Sequence, residues 1–253
     1  LTELPLGVFG IAIATVILPG LSRGYSTGAG AEFRHTLDWA MRMILVIGLP
    51  ASFALLVLAG PILATLFGYG AMGARDVDMA SLSLAAMALG LPAFMLIKVL
   101  ATAYYSRQDA RTPVIVGVQA MAANMVLNLL LVVPLHLFWQ VGHMGLSLAT
   151  TAAAWLNAGL LLRGLAQRDV YRPEPGVLRD VGRMGAAVAL MCVALLPGLA
   201  WMHAPEGLHW SSRVLRLGLV CAGGLAVYGG ALALLFPRER GELFAVMRRR
   251  LLP

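Results

Sequence analysis

Long stretches without a charged residue recur along the whole chain and are separated by short polar segments. The charge-free stretches are 4–22, 43–74, 79–97, 112–162, 184–205 and 217–237. A helix needs about 20 apolar residues to cross a hydrocarbon core of about 30 Å. The stretch 112–162 is too long for one helix, and the segment PLHLFWQVGHMG at 134–145 interrupts it. The pattern therefore predicts seven membrane-spanning helices.

The predicted spans share an apolar interior and polar ends. They are expected at about 4–22, 41–60, 79–105, 112–134, 143–163, 184–205 and 213–236. A basic loop at 167–183 separates the fifth span from the sixth, and a basic tail follows the seventh. The fold class predicted from this pattern is an all-α polytopic membrane protein.

Arginine is distributed unequally between the two sides that seven spans define. One side receives Arg23, Arg34, Arg42, Arg107, Arg111, Arg163, Arg168, Arg172, Arg179, Arg183, Arg238, Arg240, Arg248, Arg249 and Arg250. The other side receives Arg75, Arg213 and Arg216. Since basic residues gather in cytoplasmic loops, we expect a cytoplasmic C-terminus and a first span that enters from outside.

Composition supports the same class of protein. The chain of 253 residues is 60% apolar and 12% charged, whereas soluble domains are about 25% charged. Its mean hydropathy is +0.82, which excludes intrinsic disorder, and two cysteines inside apolar runs do not make a disulfide scaffold. The net charge of +7 follows from the cytoplasmic arginines, so no nucleic-acid partner is expected. Because the chain starts with Leu1 inside an apolar run, we interpret it as a piece of a longer protein.

No motif of nucleophilic, phosphate-binding or metal-dependent catalysis is present in the sequence. The five histidines fall in loops or at span ends, without a metal-ligand spacing on a helix. Glycines 20, 24, 28 and 30 are interpreted as a flexible turn and not as a phosphate-binding loop. We therefore expect no catalytic residue, no metal centre and no cofactor.

Polar residues inside the spans are more informative, because burying them in lipid is costly. Lys98 either snorkels to the headgroups or faces a polar cavity and an anionic substrate. Glu3 and Arg42 lie near span ends, where an interfacial position is the simpler interpretation. Asn124 and Asn128 share one helical face, either for hydrogen bonds between helices or as oxygen ligands of a cation.

Three segments resemble one bacterial family. The segment LPLGVFGIAIATVILPGLSR at 4–23 resembles part of the lipid II flippases called MurJ or MviN. The segment KVLATAYYSRQDARTP at 98–113 is similar to a span of that family that ends in an aromatic pair and a short cytoplasmic loop. The segment MGLSLAT at 144–150, followed by Asn157, is similar to the start of the next helix.

The resemblance implies a fold of the multidrug/oligosaccharidyl-lipid/polysaccharide exporter superfamily. The chain would be the eighth to fourteenth helices, with 1–166 as five helices of the second lobe and 184–253 as two extra helices and the tail. The extra pair would line a groove for a polyprenyl chain. Members of this family are about twice as long, so the N-terminal half of the same protein would be a partner.

The implied function is flipping of the undecaprenyl-pyrophosphate-linked peptidoglycan precursor, lipid II, from the inner to the outer leaflet of the bacterial cytoplasmic (inner) membrane. Alternating access would serve cell wall biogenesis and cell shape. By the resemblance, Glu3, Arg42 and Lys98 match an acidic and two basic positions and are candidates for substrate binding. Asn124, Asn128 and Thr151 are candidates for a cation site, with sodium or the membrane potential as the driving force.

Other functions remain open on the residues alone. An exporter of another polyprenyl-linked glycan or of a small cation would show the same spans. A membrane-embedded acyl- or glycosyltransferase would need a catalytic His or Asp near a membrane surface, which the charge-free stretch 112–162 disfavours. A scaffold of the cell-wall machinery would tolerate replacement of Lys98 or Arg42 by alanine.

Overall fold

The computed structural model describes residues 1–69, 73–139, 141–172, 176–202 and 210–236. Seven helices in these ranges are long and apolar enough to cross a membrane, as predicted. They are span 1 (Glu3–Ser26, with a π-helical turn at Leu6–Gly10), span 2 (Gly30–Phe67), span 3 (Ala74–Ala88 and Leu91–Tyr105), span 4 (Arg111–Trp139), span 5 (Gly142–Gln167), span 6 (Val177–Met202) and span 7 (Trp210–Leu235). His203, His209 and the basic tail lie outside the described residues.

Several helices extend beyond the predicted spans. Span 2 has 38 residues, about 57 Å at 1.5 Å per residue, against the predicted 41–60. Span 6 begins at Val177, inside the predicted loop 167–183, and Arg183 pairs with Asp180 in its first turns at 3.9 Å. The charge-free criterion finds only the part of a helix inside hydrocarbon, whereas the helix continues into the headgroup region and water.

Proline affects the helices differently at its different positions. Span 2 continues through Pro50 and Pro61, and span 6 continues through Pro197. Span 3 is interrupted between Ala88 and Leu91, with Pro92 in the first turn of its second half. Interior proline is tolerated in membrane helices when the freed backbone groups find other partners.

The break in span 3 frees backbone carbonyls that other spans satisfy. Pro92 has no N–H to give to the Ala88 carbonyl, four residues earlier; the Ser52 hydroxyl donates to that oxygen instead, at 2.6 Å. The Gly90 N–H bonds to the Met87 carbonyl and so leaves the Ala86 carbonyl without its helical donor. The Thr151 hydroxyl of span 5 donates to this carbonyl at 2.8 Å. Spans 2 and 5 therefore hold the break in place through side-chain hydrogen bonds.

The chain forms two compact units, Leu1–Val177 and Leu178–Pro253. In the first, the second half of span 3 is central: it packs against spans 1, 2 and 5, and most of its residues are buried. Spans 4 and 5 form a close antiparallel hairpin at Gly145, where a Cβ would lie 3.0 Å from the backbone of span 4. In the second unit, spans 6 and 7 pack around Gly198 and Gly224.

Candidate functional site

Lys98 is an exposed side chain on the most buried helix of the first unit. Its neighbours Leu96, Val99 and Leu100 are buried, whereas Lys98 itself is exposed. The helix continues for seven residues beyond it to Tyr105, so its Cα lies about 10 Å from the helix end. Its side chain makes no hydrogen bond or ion pair with the residues that the structure describes. Lys98 is therefore placed on a surface of the helix bundle, inside a membrane span.

Arg42 belongs to a buried polar cluster. Its Nε lies 2.6 Å from Oδ2 of Asp38, one turn earlier on span 2. Oδ1 of Asp38 accepts a hydrogen bond of 2.8 Å from the Tyr171 hydroxyl, which comes from the segment after span 5. Asp38 is 6% exposed and Tyr171 is 1% exposed. The hydrogen bond from Tyr171 to Asp38 therefore ties the N-terminal part of span 2 to the segment after span 5.

Glu3 lies apart from this cluster, in the first turn of span 1, and is exposed. Within the described residues its carboxylate has no hydrogen-bond or ion-pair partner. The structure thus places Glu3, Arg42 and Lys98 on three different spans without a direct contact between them.

The candidate cation ligands divide into two groups. Asn128 donates its Nδ2 hydrogen to Oδ1 of Asn124 at 2.8 Å, and the Asn128 Oδ1 is buried without a hydrogen-bond partner. Thr151 instead donates its hydroxyl hydrogen to the Ala86 carbonyl at 2.8 Å. No hydrogen bond joins it to either asparagine in the described part of the chain. The structure therefore brings the asparagines together and gives the threonine a role at the break in span 3.

An organised turn joins spans 3 and 4 around Asp109. The Thr112 hydroxyl and backbone N–H donate to its carboxylate at 2.7 and 3.0 Å, and Nη1 of Arg168 lies 2.6 Å from Oδ2. The two hydrogen bonds from Thr112, followed by the Arg168 guanidinium, lower the pKa of Asp109 to about 2. Asp109 thus caps the start of span 4 and joins it to the end of span 5.

Asp38 and Asp109 were not predicted from the sequence as partners of the basic residues. For Asp38 a signal was present, because an acid four residues before Arg42 on a helix forms an ion pair readily. For Asp109 the partner Arg168 is 59 residues away, so no local pattern identifies the pair. Among the described residues no group of three His, Cys, Asp or Glu could hold a metal ion.

Comparisons with known proteins agree with this architecture. The family model described as "Lipid II flippase MurJ" matches residues 1–211. A probable lipid II flippase MurJ of Vibrio cholerae is 46% identical over 237 residues, which cover 93% of this chain and 44% of that protein. One of Haemophilus influenzae is 42% identical over 253 residues, covering 94% of this chain and 47% of that protein.

A solved structure is also similar. The structure titled "Lipid II flippase MurJ, inward closed conformation" matches with a TM-score of 0.68 and 21% identity, covering 93% of this chain and 45% of that chain. This likeness supports the helical fold. The chain spans about half the length of the curated relatives it matches. On the family model and these relatives, the chain belongs to the lipid II flippase MurJ family.

Proposed function

We propose that this chain is the part of a flippase that carries the second lobe and the two additional helices, and that the whole protein moves lipid II from the inner to the outer leaflet. The observation that carries the proposal is the family match over residues 1–211, together with relatives of the same name at 42–46% identity. In this proposal the protein is a transporter of the bacterial inner membrane with no catalytic step of its own.

The task of a flippase is to move a pyrophosphate and a large headgroup through hydrocarbon. A charged group in the bilayer centre is costly unless it faces a polar cavity or a partner of opposite charge. Lys98 is the residue of this chain that fits such a cavity best, since it is exposed within a span and has no described partner. In our proposal it faces the N-terminal half of the protein and attracts the pyrophosphate.

The arrangement of the loops supports the proposed orientation. Arg34, Arg107 and Asp169 line one pocket, so the turn after span 1, the turn after span 3 and the segment after span 5 meet at one end of the bundle. Arg34 and Arg107, two arginines of the richer side, therefore lie at the same end of the bundle, which agrees with the positive-inside rule. We propose that this end and the C-terminus are cytoplasmic.

If sodium drives the cycle, the asparagine pair is the best candidate for its binding site in this chain. The buried Oδ1 of Asn128, which lacks a donor, is an acceptor that a hard cation prefers. We therefore keep Asn124 and Asn128 as proposed cation ligands. Thr151 is less suited, because its hydroxyl hydrogen is committed to the Ala86 carbonyl.

The proposal is tested in cells depleted of the native protein and supplied with the full product of this gene. An added enzyme that cleaves only outer-leaflet precursor reports the flipped fraction. We compare Lys98→Ala, Lys98→Arg and, as a matched control, Arg111→Ala, an exposed cation at the start of span 4. We expect the cleaved fraction to fall about tenfold or more in Lys98→Ala, because an unpaired anionic group is costly inside the membrane. It should be largely retained in Lys98→Arg and Arg111→Ala.

Lys98 is a sharper test than Arg42. Replacing Arg42 also leaves the buried Asp38 carboxylate without its ion-pair partner at 2.6 Å, which destabilises the fold whatever the function. If the wild-type gene does not restore outer-leaflet precursor, lipid II is not the cargo and another exported lipid or cation must be sought. If Lys98→Ala supports growth and flipping like the wild type, the proposed role of Lys98 is refuted.

A further inference from the structure

A pocket of about 270 Å³ lies between the turn after span 1, the turn after span 3 and the segment after span 5, and we call it the arginine pocket. We propose that it binds a phosphate group through Arg107 and Arg34. This site differs from the proposed path of the substrate through Lys98. It also revises the interpretation of Gly24, Gly28 and Gly30, which were expected from the sequence to form a flexible turn and not a phosphate-binding loop.

Arg107 supplies the observation that points to a ligand. Its Nη1 is buried and has no hydrogen-bond acceptor in the described structure, although the residue lines an open pocket. Its guanidinium lies over the Tyr25 ring, 5.7 Å from the ring centre, which holds its plane in position. A buried donor without an acceptor is unfavourable. An oxyanion in the pocket would supply the acceptor once the guanidinium turns this covered nitrogen toward it.

The turn between spans 1 and 2 gives the pocket a wall of bare backbone. Gly28 has a φ of +70°, and a Cβ on Gly24 would lie 3.0 Å from the Phe33 nitrogen, so neither position accepts a larger side chain easily. Span 2 begins at Gly30, and its N-cap residue makes no side-chain hydrogen bond. The Gly30 and Phe33 N–H groups bond to the carbonyls of Gly28 and Ala29, so the start of this long helix contributes the positive end of its dipole, which favours a negative charge nearby.

Arg34 completes the basic side of the pocket. It is exposed, and its Nη1 lies 3.6 Å from the position that a Cβ of Gly30 would take, so the side chain folds back along the start of span 2. Two guanidinium groups offer several N–H donors, which suits a tetrahedral phosphate with its many acceptor oxygens.

Two carboxylates, those of Asp169 and Glu32, bear on whether the arginine pocket attracts an anion. Asp169 lines the pocket, but its Oδ1 lies 3.2 Å from the Nε of Arg172. Glu32 lies in the first turn of span 2 and is not among the pocket residues. With Arg34 and Arg107 against Asp169, the lining keeps a net positive charge.

The phosphate has two possible sources. One is the headgroup of an anionic phospholipid, which concentrates next to arginine-rich membrane ends. The other is a soluble phosphate compound. Both present the same group to Arg107, and the experiment separates them.

The experiment uses the purified full product of the gene in detergent, with the unfolding temperature as the readout. Inorganic phosphate is titrated against chloride at equal ionic strength, and phosphatidylglycerol is titrated against phosphatidylcholine. Arg107→Gln and Arg34→Gln are compared with Arg111→Gln, which removes an exposed arginine outside the pocket. We expect stabilisation of the wild type and of Arg111→Gln, with an apparent Kd at least about tenfold weaker in the two pocket variants.

Each outcome decides the proposal. Stabilisation by phosphatidylglycerol alone assigns the site to a lipid headgroup, and stabilisation by inorganic phosphate assigns it to a soluble ligand. If neither probe stabilises more than its control, or if the pocket variants respond like Arg111→Gln, the site is refuted. Should Arg107→Gln fail to fold, the exposed Arg34 decides alone. Flipping of lipid II is measured separately, so failure here leaves the proposed function untouched.

Discussion

The hydrogen bond from Ser52 to the break in span 3 allows a quantitative prediction. The Ser52 hydroxyl donates to the Ala88 carbonyl at 2.6 Å, and Ser52 and Ala88 are 1% and 0% exposed. Pro92 cannot replace this donor, because it has no N–H. Leaving a buried carbonyl unsatisfied costs about 1–3 kcal/mol, while hydrogen bonds between membrane helices average about 0.6 kcal/mol. We therefore expect Ser52→Ala to lower the free energy of unfolding by about 1 kcal/mol.

The cause is isolated by a double-mutant cycle with Pro92→Ala. Alanine at position 92 restores an N–H four residues after Ala88, so Ser52→Ala should cost less than about half as much in that background. The assay is reversible unfolding of the full gene product in mixed detergent micelles. Ser81→Ala is the matched control, because its hydroxyl bonds to a carbonyl at an exposed position. An equal cost of Ser52→Ala in both backgrounds would contradict the assignment.

Two further variants test the polar contacts of the five-helix unit. Because the pKa of Asp109 is about 2 in the folded protein and about 3.9 ordinarily, its stabilisation is complete above about pH 4 and is lost as the pH falls toward 2. Asp109→Asn should therefore lower the unfolding temperature at pH 7 and have little effect near pH 2, whereas the exposed Asp78→Asn should be neutral throughout. Tyr171→Phe removes the 2.8 Å hydrogen bond to Asp38 and should cost about 1.5–3 kcal/mol in denaturant unfolding; a cost below about 0.5 kcal/mol would refute a supporting role.

The number of spans was predictable because membrane insertion is decided locally. A helix crosses hydrocarbon when about 20 successive residues are apolar, and this property can be read from the sequence without knowing any neighbour. Lys98 was also recognisable from the sequence, as an unusual charge inside a span. Asn124 and Asn128 were recognisable as a pair on one helical face, one turn apart, and the structure joins them by a hydrogen bond. Helix ends were predicted less well, since a helix does not stop where its apolar stretch stops.

The sequence by itself determined the seven membrane-spanning helices and showed which polar and charged residues lie inside them. Only the tertiary structure decided their partners. The Ser52 hydroxyl reaches a carbonyl that Pro92 leaves free, Tyr171 reaches Asp38 from 133 residues away, and Arg107 faces a glycine turn that precedes it by two spans. Transfer into lipid is a property of each segment, whereas a hydrogen bond between spans depends on how the helices pack, and packing is a property of the whole bundle.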